Sequence, residues 1–221
     1  MPAGTPVHYD DFGYWNFEDA IPVDMIDGMF DWYNDNRDQF QFSTTDTPFD
    51  KVHTVDNTNV FLSGDFIKWS KIVQEILENY IGHRLYPVYN MGRVYEKGIK
   101  MGAHIDRAPC QVSVTLPVAY MPMNWPIVID TSKGVKTVHQ HVGDMLLYKG
   151  DQVKHWRDEN TLAQVQYQHY FHYIDLDTEQ GEYMYQFNDQ HLRNNEYWPL
   201  AYHLLKEGGR LPELTVENSR R

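Results

Sequence analysis

Two hydrophobic periods divide the chain. From Pro22 to Gly82 apolar residues recur every three or four positions, and from Arg84 to Ile174 they alternate every two. The first period marks helices and the second half-buried strands. In PVDMIDGMFDWYNDN (22–36), Met25, Met29, Phe30 and Trp32 recur with approximate helical spacing, and Pro22 suits a first turn. In GDFIKWSKIVQEILENYI (64–81), Phe66, Ile67, Trp69, Ile72, Val73, Ile76, Leu77 and Tyr80 form a continuous stripe, with Gly82 as the stop. Residues 1–20 read as irregular. Residues 37–62, with Pro, Thr and Asp throughout, read as loop.

The alternating half predicts strands at Leu85–Tyr89, Arg93–Tyr95, Cys110–Val118, Pro126–Ile129, Val135–His139, Asp144–Tyr148 and Gln164–Ile174. EKG, SKG, VGD and KGD turns separate them. Helices followed by a run of short strands imply an α+β, mainly β architecture, with the helices packed on one side of a β-sandwich or barrel. From Asp175 the chain is aromatic and polar, with a weak helical pattern near Trp198–Leu205. Its Tyr183, Tyr185, Phe187, Tyr197 and Trp198 are expected to pack on the barrel. No repeat or linker interrupts the sequence. It therefore reads as one domain over 1–221, with a core at about 84–174, helical support at 1–83 and an extension at 175–221.

Composition narrows the classes. Hydrophobic residues make up 42% of the 221, enough for a sizeable core. No run approaches the roughly 18 apolar residues of a membrane span. The N-terminus MPAGTPVHYDDFGYW lacks the pattern of a secretory signal. A net charge of −12 disfavours nucleic acid as a partner and leaves a small molecule, peptide or protein as the expected substrate. The single cysteine, Cys110, excludes an intrachain disulfide, fits a reducing cytoplasmic compartment, and reads as a buried small residue.

Eleven histidines invite a search for metal ligands. In VYEKGIKMGAHIDRAPCQVSVTL (94–116), His104-Ile105-Asp106 places an imidazole and a carboxylate on one face if the segment is extended. The third ligand must come from another strand. His155, in GDMLLYKGDQVKHW, follows a Gly-Asp turn and an apolar strand about fifty residues on. Two imidazoles and one carboxylate suit a non-haem Fe(II) site with positions left open. A second His-x-Asp, His8-Tyr9-Asp10, is set aside because no strand signal flanks it. His139-Gln140-His141 reads as solvated near a turn. Trp156 reads as a wall beside His155, and Trp125-Pro126 as a strand entrance.

The order of these features resembles the 2-oxoglutarate/Fe(II) oxygenase superfamily on its prolyl-4-hydroxylase-like side. The matching features are Tyr95, the Gly98 turn, His104-x-Asp106, the strand Val112–Val118, Gly143-Asp144 before Met145–Tyr148, and His155-Trp156-Arg157. The closing Phe171-His172-Tyr173 is similar to a microbial and phage-encoded branch. The resemblance covers about residues 84–174. It implies a distorted double-stranded β-helix, or jelly roll, and an iron(II)-dependent hydroxylase. Such an enzyme uses O₂ and 2-oxoglutarate, with ascorbate as a reductant, and releases succinate and CO₂ as it oxidises a prime substrate. It also implies that His104, Asp106 and His155 are the metal ligands.

One departure from the family stands out. The family anchors the distal carboxylate of 2-oxoglutarate with Lys or Arg on the next-to-last strand, yet TLAQVQYQHYFHY (161–173) has neither, and Val165 stands near the expected place. Arg157, which shares His155's face in an extended strand, is one replacement; its rival reading is a surface arginine paired with Asp158 or Glu159. Arg93 and Tyr95 form a second pair on one strand face. Gln168 and His172 share a face of the last strand, either as hydrogen-bond donors or as a solvent-facing ladder. Two other readings stay open: a catalytically inert jelly-roll module, and a cupin-like metal enzyme that does not use 2-oxoglutarate.

Overall fold

The computed structural model describes residues 7–36, 40–43, 52–55 and 64–181. Its elements run α1 (Val7–Phe12), β1 (Tyr14–Phe17), α2 (Val23–Asp35), β2 (Phe40–Ser43), β3 (Val52–Val55) and α3 (Gly64–Ile81). They continue as β4 (Leu85–Glu96), β5 (Met101–His104), β6 (Val112–Met121), β7 (Ile127–Thr131), β8 (Gly134–Val138), β9 (Met145–Lys149), β10 (Lys154–Arg157) and β11 (Val165–Asp175). The strands form a seven-stranded sheet, β1-β9-β6-β11-β4-β3-β2, and a four-stranded sheet, β5-β10-β7-β8. Every strand pairing is antiparallel. Two antiparallel sheets with a core between them make a jelly roll, as expected.

The helices behave as their stripes predict except at Phe30, which is exposed, while Ile26 and Tyr33 complete the buried face of α2. Met25, Met29, Phe66, Trp69, Val73 and Leu77 are buried against Val112, Val114, Leu116, Met145, Leu147, Phe171 and Tyr173 of the large sheet. Each fully buried aliphatic there contributes about 1.5–3 kcal/mol. α3 stops at Gly82, whose φ of +80° suits glycine and whose N–H donates to the Glu78 carbonyl at 2.9 Å. The second core lies between the sheets. It joins Leu146, Tyr148, Tyr95 and Tyr170 of the large sheet to Met101, Ile127 and Ile129 of the small one.

Several expectations need correction. Leu85–Tyr89 and Arg93–Tyr95 are one strand, β4, because β11 pairs along its whole length. Residues 1–20 include a short helix and a strand, β1, which pairs with β9. The supposed loop at 37–62 contains β2 and β3, which extend the edge of the large sheet. Four-residue strands are too short to display an alternation. The small sheet also gains β5 and β10, neither of them legible as a separate run. His8-Tyr9-Asp10 lies in α1 and not in a strand. The helical pattern at Trp198–Leu205 and the C-terminal aromatics fall outside the described residues.

Candidate metal centre

β5 and β10 are neighbours in the small sheet, and His104 stands directly opposite His155 in their register. Their ring centroids are 4.4 Å apart. β5 ends at His104, so Asp106 lies just beyond the strand rather than within it. Its backbone N–H donates to the Gly150 carbonyl at 2.8 Å, which ties this segment to the turn after β9. Asp106 Oδ1 then sits 3.7 Å from His104 Nε2 and 3.6 Å from His155 Nε2. One ligand atom from each of the three residues falls within 4.8 Å of the others.

The polar neighbours fix the orientation. His104 Nδ1 lies 2.8 Å from the Gly102 carbonyl, and His155 Nδ1 lies 2.9 Å from the Val153 carbonyl. A carbonyl only accepts, so each Nδ1 carries a proton, and in the neutral ring each Nε2 is the lone-pair nitrogen. Both lone pairs converge on a carboxylate, which is how imidazole ligands are held at a metal. Ser113 donates to Asp106 Oδ2 at 2.9 Å. Burial pushes the Asp106 carboxyl up, but the facing His155, the neighbouring His172 and the Ser113 hydroxyl outweigh it and hold the group down at about 2. Burial and the adjacent His155 lower His104, keeping its imidazole neutral. The donor set, two imidazoles held through Nδ1 and an ionised carboxylate, fits a divalent transition metal with open positions.

Gly150 allows this approach. A Cβ there would collide with the Ser113 hydroxyl, the Asp106 carboxylate and the Cys110 carbonyl. Cys110 itself is fully buried, as expected, and burial pushes its thiol up to about 12, so it is no nucleophile.

The triad opens on a cavity of about 340 Å³ that is also lined by Tyr89, Met91, Arg93, Met101, Tyr148, Tyr170 and His172. Of the residues read as cosubstrate contacts, Arg93 lines this cavity, with its guanidinium 5.8 Å from the centroid of the Tyr170 ring. Tyr95 is fully buried and bonds the Tyr170 hydroxyl at 2.7 Å. Arg157 lies next to the lining. It pairs with Met101 across the strands and is only 1% exposed. It does not form the surface ion pair with Asp158 or Glu159. Its guanidinium stacks 5.3 Å from the Trp125 ring and donates from Nη1 to the Trp125 carbonyl, while Nε and Nη2 have no partner among the described residues.

The solvent-facing reading of the last strand is corrected. Gln168 and His172 are buried and face the space between the sheets. Gln168 donates to Thr115 Oγ1 at 2.6 Å, and Gln166 donates to Gln168 Oε1 at 2.8 Å. Trp156 is half-buried, and its Nε1 bonds Asp158 at 3.2 Å. Trp125 is buried and ends the loop before β7, as a strand entrance. His139 and His141 are exposed, as expected. Sequence reading missed Ser113, Tyr170 and Gly150. The signal for Ser113 was available: it and Thr115 interrupt an otherwise apolar strand.

No family model matches the chain, and no curated protein matches it in sequence. Solved structures match in fold. SnoK, a non-heme alpha ketoglutarate dependent carbocyclase from nogalamycin biosynthesis, matches with a TM-score of 0.66 at 11% identity, over 80% of this chain and 85% of its own. SnoN, the epimerase of the same biosynthesis, gives 0.64 at 10% identity, over 77% and 80%. A Pseudomonas putida prolyl-4-hydroxylase gives 0.59 at 12% identity, over 78% and 98%. The chain thus has the jelly-roll fold of the 2-oxoglutarate-dependent non-haem iron oxygenases, the fold that its motif order implies.

Proposed function

We propose that this protein is an Fe(II)- and 2-oxoglutarate-dependent oxygenase that hydroxylates a small molecule or a peptidyl side chain. The observation that carries the reading is the pair of histidine Nε2 lone pairs turned onto the Asp106 carboxylate, each fixed by a main-chain carbonyl at its Nδ1. His104, Asp106 and His155 are the metal ligands in this reading. When bound, iron and 2-oxoglutarate supply the oxidising chemistry, with O₂ as oxidant and succinate and CO₂ as products. The protein's own part is to hold three ligands on one side, keep the other side open, and limit water. Among the described residues the cluster holds no glutamate, which disfavours the cupin-like reading.

Arg157 is the anchor for the distal carboxylate. A buried guanidinium with two unpartnered nitrogens is costly unless an anion satisfies it. Its fork suits a carboxylate. Tyr170, which lines the cavity, feels its charge. Arg93 supports a second reading because it lines the cavity directly. Tyr95 acts through Tyr170, whose hydroxyl it bonds. The neighbours agree with a small substrate: SnoN has been solved with Fe3+, alpha ketoglutarate and nogalamycin RO, and HygX from Streptomyces hygroscopicus with nickel, 2-oxoglutarate and hygromycin B. A cavity of about 340 Å³ is at the small end of ligand sites. Among the described residues no helix is long and apolar enough to cross a membrane, and the lone buried cysteine suits a reducing cytoplasm.

The test is succinate formation from 2-oxoglutarate with Fe(II), ascorbate and O₂, in wild type and in His104→Ala. A signal lost in the variant is expected. Succinate formed equally by both would overturn the ligand assignment. Iron-loaded wild type that binds no 2-oxoglutarate would overturn the cosubstrate.

A further inference from the structure

We propose that His172 is the hydrogen-bond acceptor that orients the prime substrate, its Nε2 receiving an O–H or amide N–H group of the molecule to be oxidised. The inference rests on the oxygenase reading and adds a chemical requirement on the substrate.

His172 lines the cavity beside the triad and is 2% exposed. Its Nε2 has no partner among the described residues. A buried polar atom left open at a cavity wall calls for a ligand. The tautomer follows from the partners of Ser113. Its hydroxyl lies 2.9 Å from Asp106 Oδ2, 3.1 Å from the Cys110 carbonyl and 2.9 Å from His172 Nδ1. The carboxylate and the carbonyl can only accept, and the ionised carboxylate is the strongest acceptor of the three, so it takes the single hydroxyl hydrogen. Ser113 therefore accepts from His172, and Nδ1 carries the proton. Nε2 is left as a lone pair. The Tyr89 ring, 4.5 Å away and tilted over the imidazole, holds its plane.

A lone pair needs a donor. 2-Oxoglutarate at neutral pH has carboxylates and a ketone, all acceptors, and cannot fill that role. The hydroxyls of Tyr170 and Tyr89, which share the cavity wall, are paired with the Tyr95 hydroxyl and the Cys110 sulfur. Arg93 and Arg107 line the same cavity and disfavour a cationic ammonium. The fitting group is a neutral alcohol or amide N–H. Because Ser113 links His172 to the metal ligand Asp106, the donor it holds is set close to the metal position.

The experiment uses ¹⁵N-histidine protein loaded with Zn(II) as a diamagnetic stand-in, with His172 assigned by its loss in His172→Gln. The expected spectrum shows His172 protonated at Nδ1 and bare at Nε2. An Nε2–H tautomer or an imidazolium overturns the proposal. Ethylene glycol should then shift the Nε2 resonance, and 1,2-dimethoxyethane, its analogue without donors, should not; equal shifts from both overturn it. Anaerobic titration of Fe(II)-protein with 2-oxoglutarate supplies the second arm. His172→Gln and His172→Leu should bind it within about threefold of wild type. A loss of tenfold or more in both would make His172 a cosubstrate contact and overturn the proposal. Failure of wild type to bind 2-oxoglutarate would overturn the oxygenase reading instead, and the tautomer would still decide the acceptor.

Discussion

The two faces of the large sheet are built by the same strands and do opposite work. On β6, β9 and β11 one face carries Val112, Val114, Leu116, Met145, Leu147, Phe171 and Tyr173 beneath the helices. The other carries Ser113, Thr115, Tyr148, Gln166, Gln168, Tyr170 and His172. Both faces are buried. Burial alone therefore does not separate scaffold from site; the chemistry of the buried side chains does. Apolar groups fill the helix side and need only shape. Polar groups between the sheets must each find a partner, and His172 Nε2 and Arg157 Nε and Nη2, which have none among the described residues, point to ligands.

Substitutions on the two faces should separate along that line. The largest effect is expected at the metal: Asp106→Ala should weaken Fe(II) binding on the order of a thousandfold, beyond the loss typical of a supporting residue, as read by anaerobic titration. On the helix side, Leu147→Ala should lower unfolding free energy by about 2–4 kcal/mol in urea, while Fe(II) affinity stays within about threefold of wild type. Metal loss in that variant would break the division. Gly150→Ala should do some of both, at about 1–3 kcal/mol in stability plus a tenfold or greater loss of metal affinity, because its methyl collides with Asp106 and Ser113. Arg157→Met should weaken 2-oxoglutarate about 10–100-fold while leaving apo stability unchanged or higher by about 1–2 kcal/mol, since an orphaned buried charge is removed. If Arg93→Gln loses the cosubstrate and Arg157→Met does not, the anchor is Arg93.

The smallest effect concerns His169, a buried polar residue on the helix side. It bonds Tyr33 at 3.0 Å and Asn90 at 3.1 Å, and burial lowers it to about 3. Its folded value lies below the unfolded one near 6.5. Below about pH 6.5 the unfolded chain takes up a proton that the folded chain refuses, so this contribution to stability is complete above that pH and is lost as pH falls towards 3. Between pH 6 and 4, His169→Gln should flatten the slope of unfolding free energy by about 1.4 kcal/mol per pH unit, measured by urea denaturation. An unchanged slope would show that His169 is protonated in the fold.

Legibility in the sequence followed the same physics. α2 and α3 were readable because one face of each is apolar over several turns. β6, β9 and β11 were readable by alternation. β2, β3, β5 and β10 span four residues each, less than any period can reveal. His104, Asp106 and His155 stood out because their residue types and spacing have few other uses together. Ser113 did not, since a serine in a strand is common; His172 was legible only as one of two polar residues on a face of the last strand, and the β6–β11 register is what brings it to Ser113. Arg157 was readable as a candidate, but its deep burial was not, because nothing local distinguishes an inward arginine from a surface one.

The central claim is that the space between the sheets holds one iron through two neighbouring strands of the small sheet, β5 and β10, and through Asp106 just beyond β5. Anaerobic calorimetric titration of Fe(II) into wild type and His155→Ala tests it most directly. The account predicts one Fe(II) per chain in wild type and no stoichiometric binding in His155→Ala, with the variant still folded by circular dichroism. Equal binding by the two proteins, or none by wild type, would contradict it.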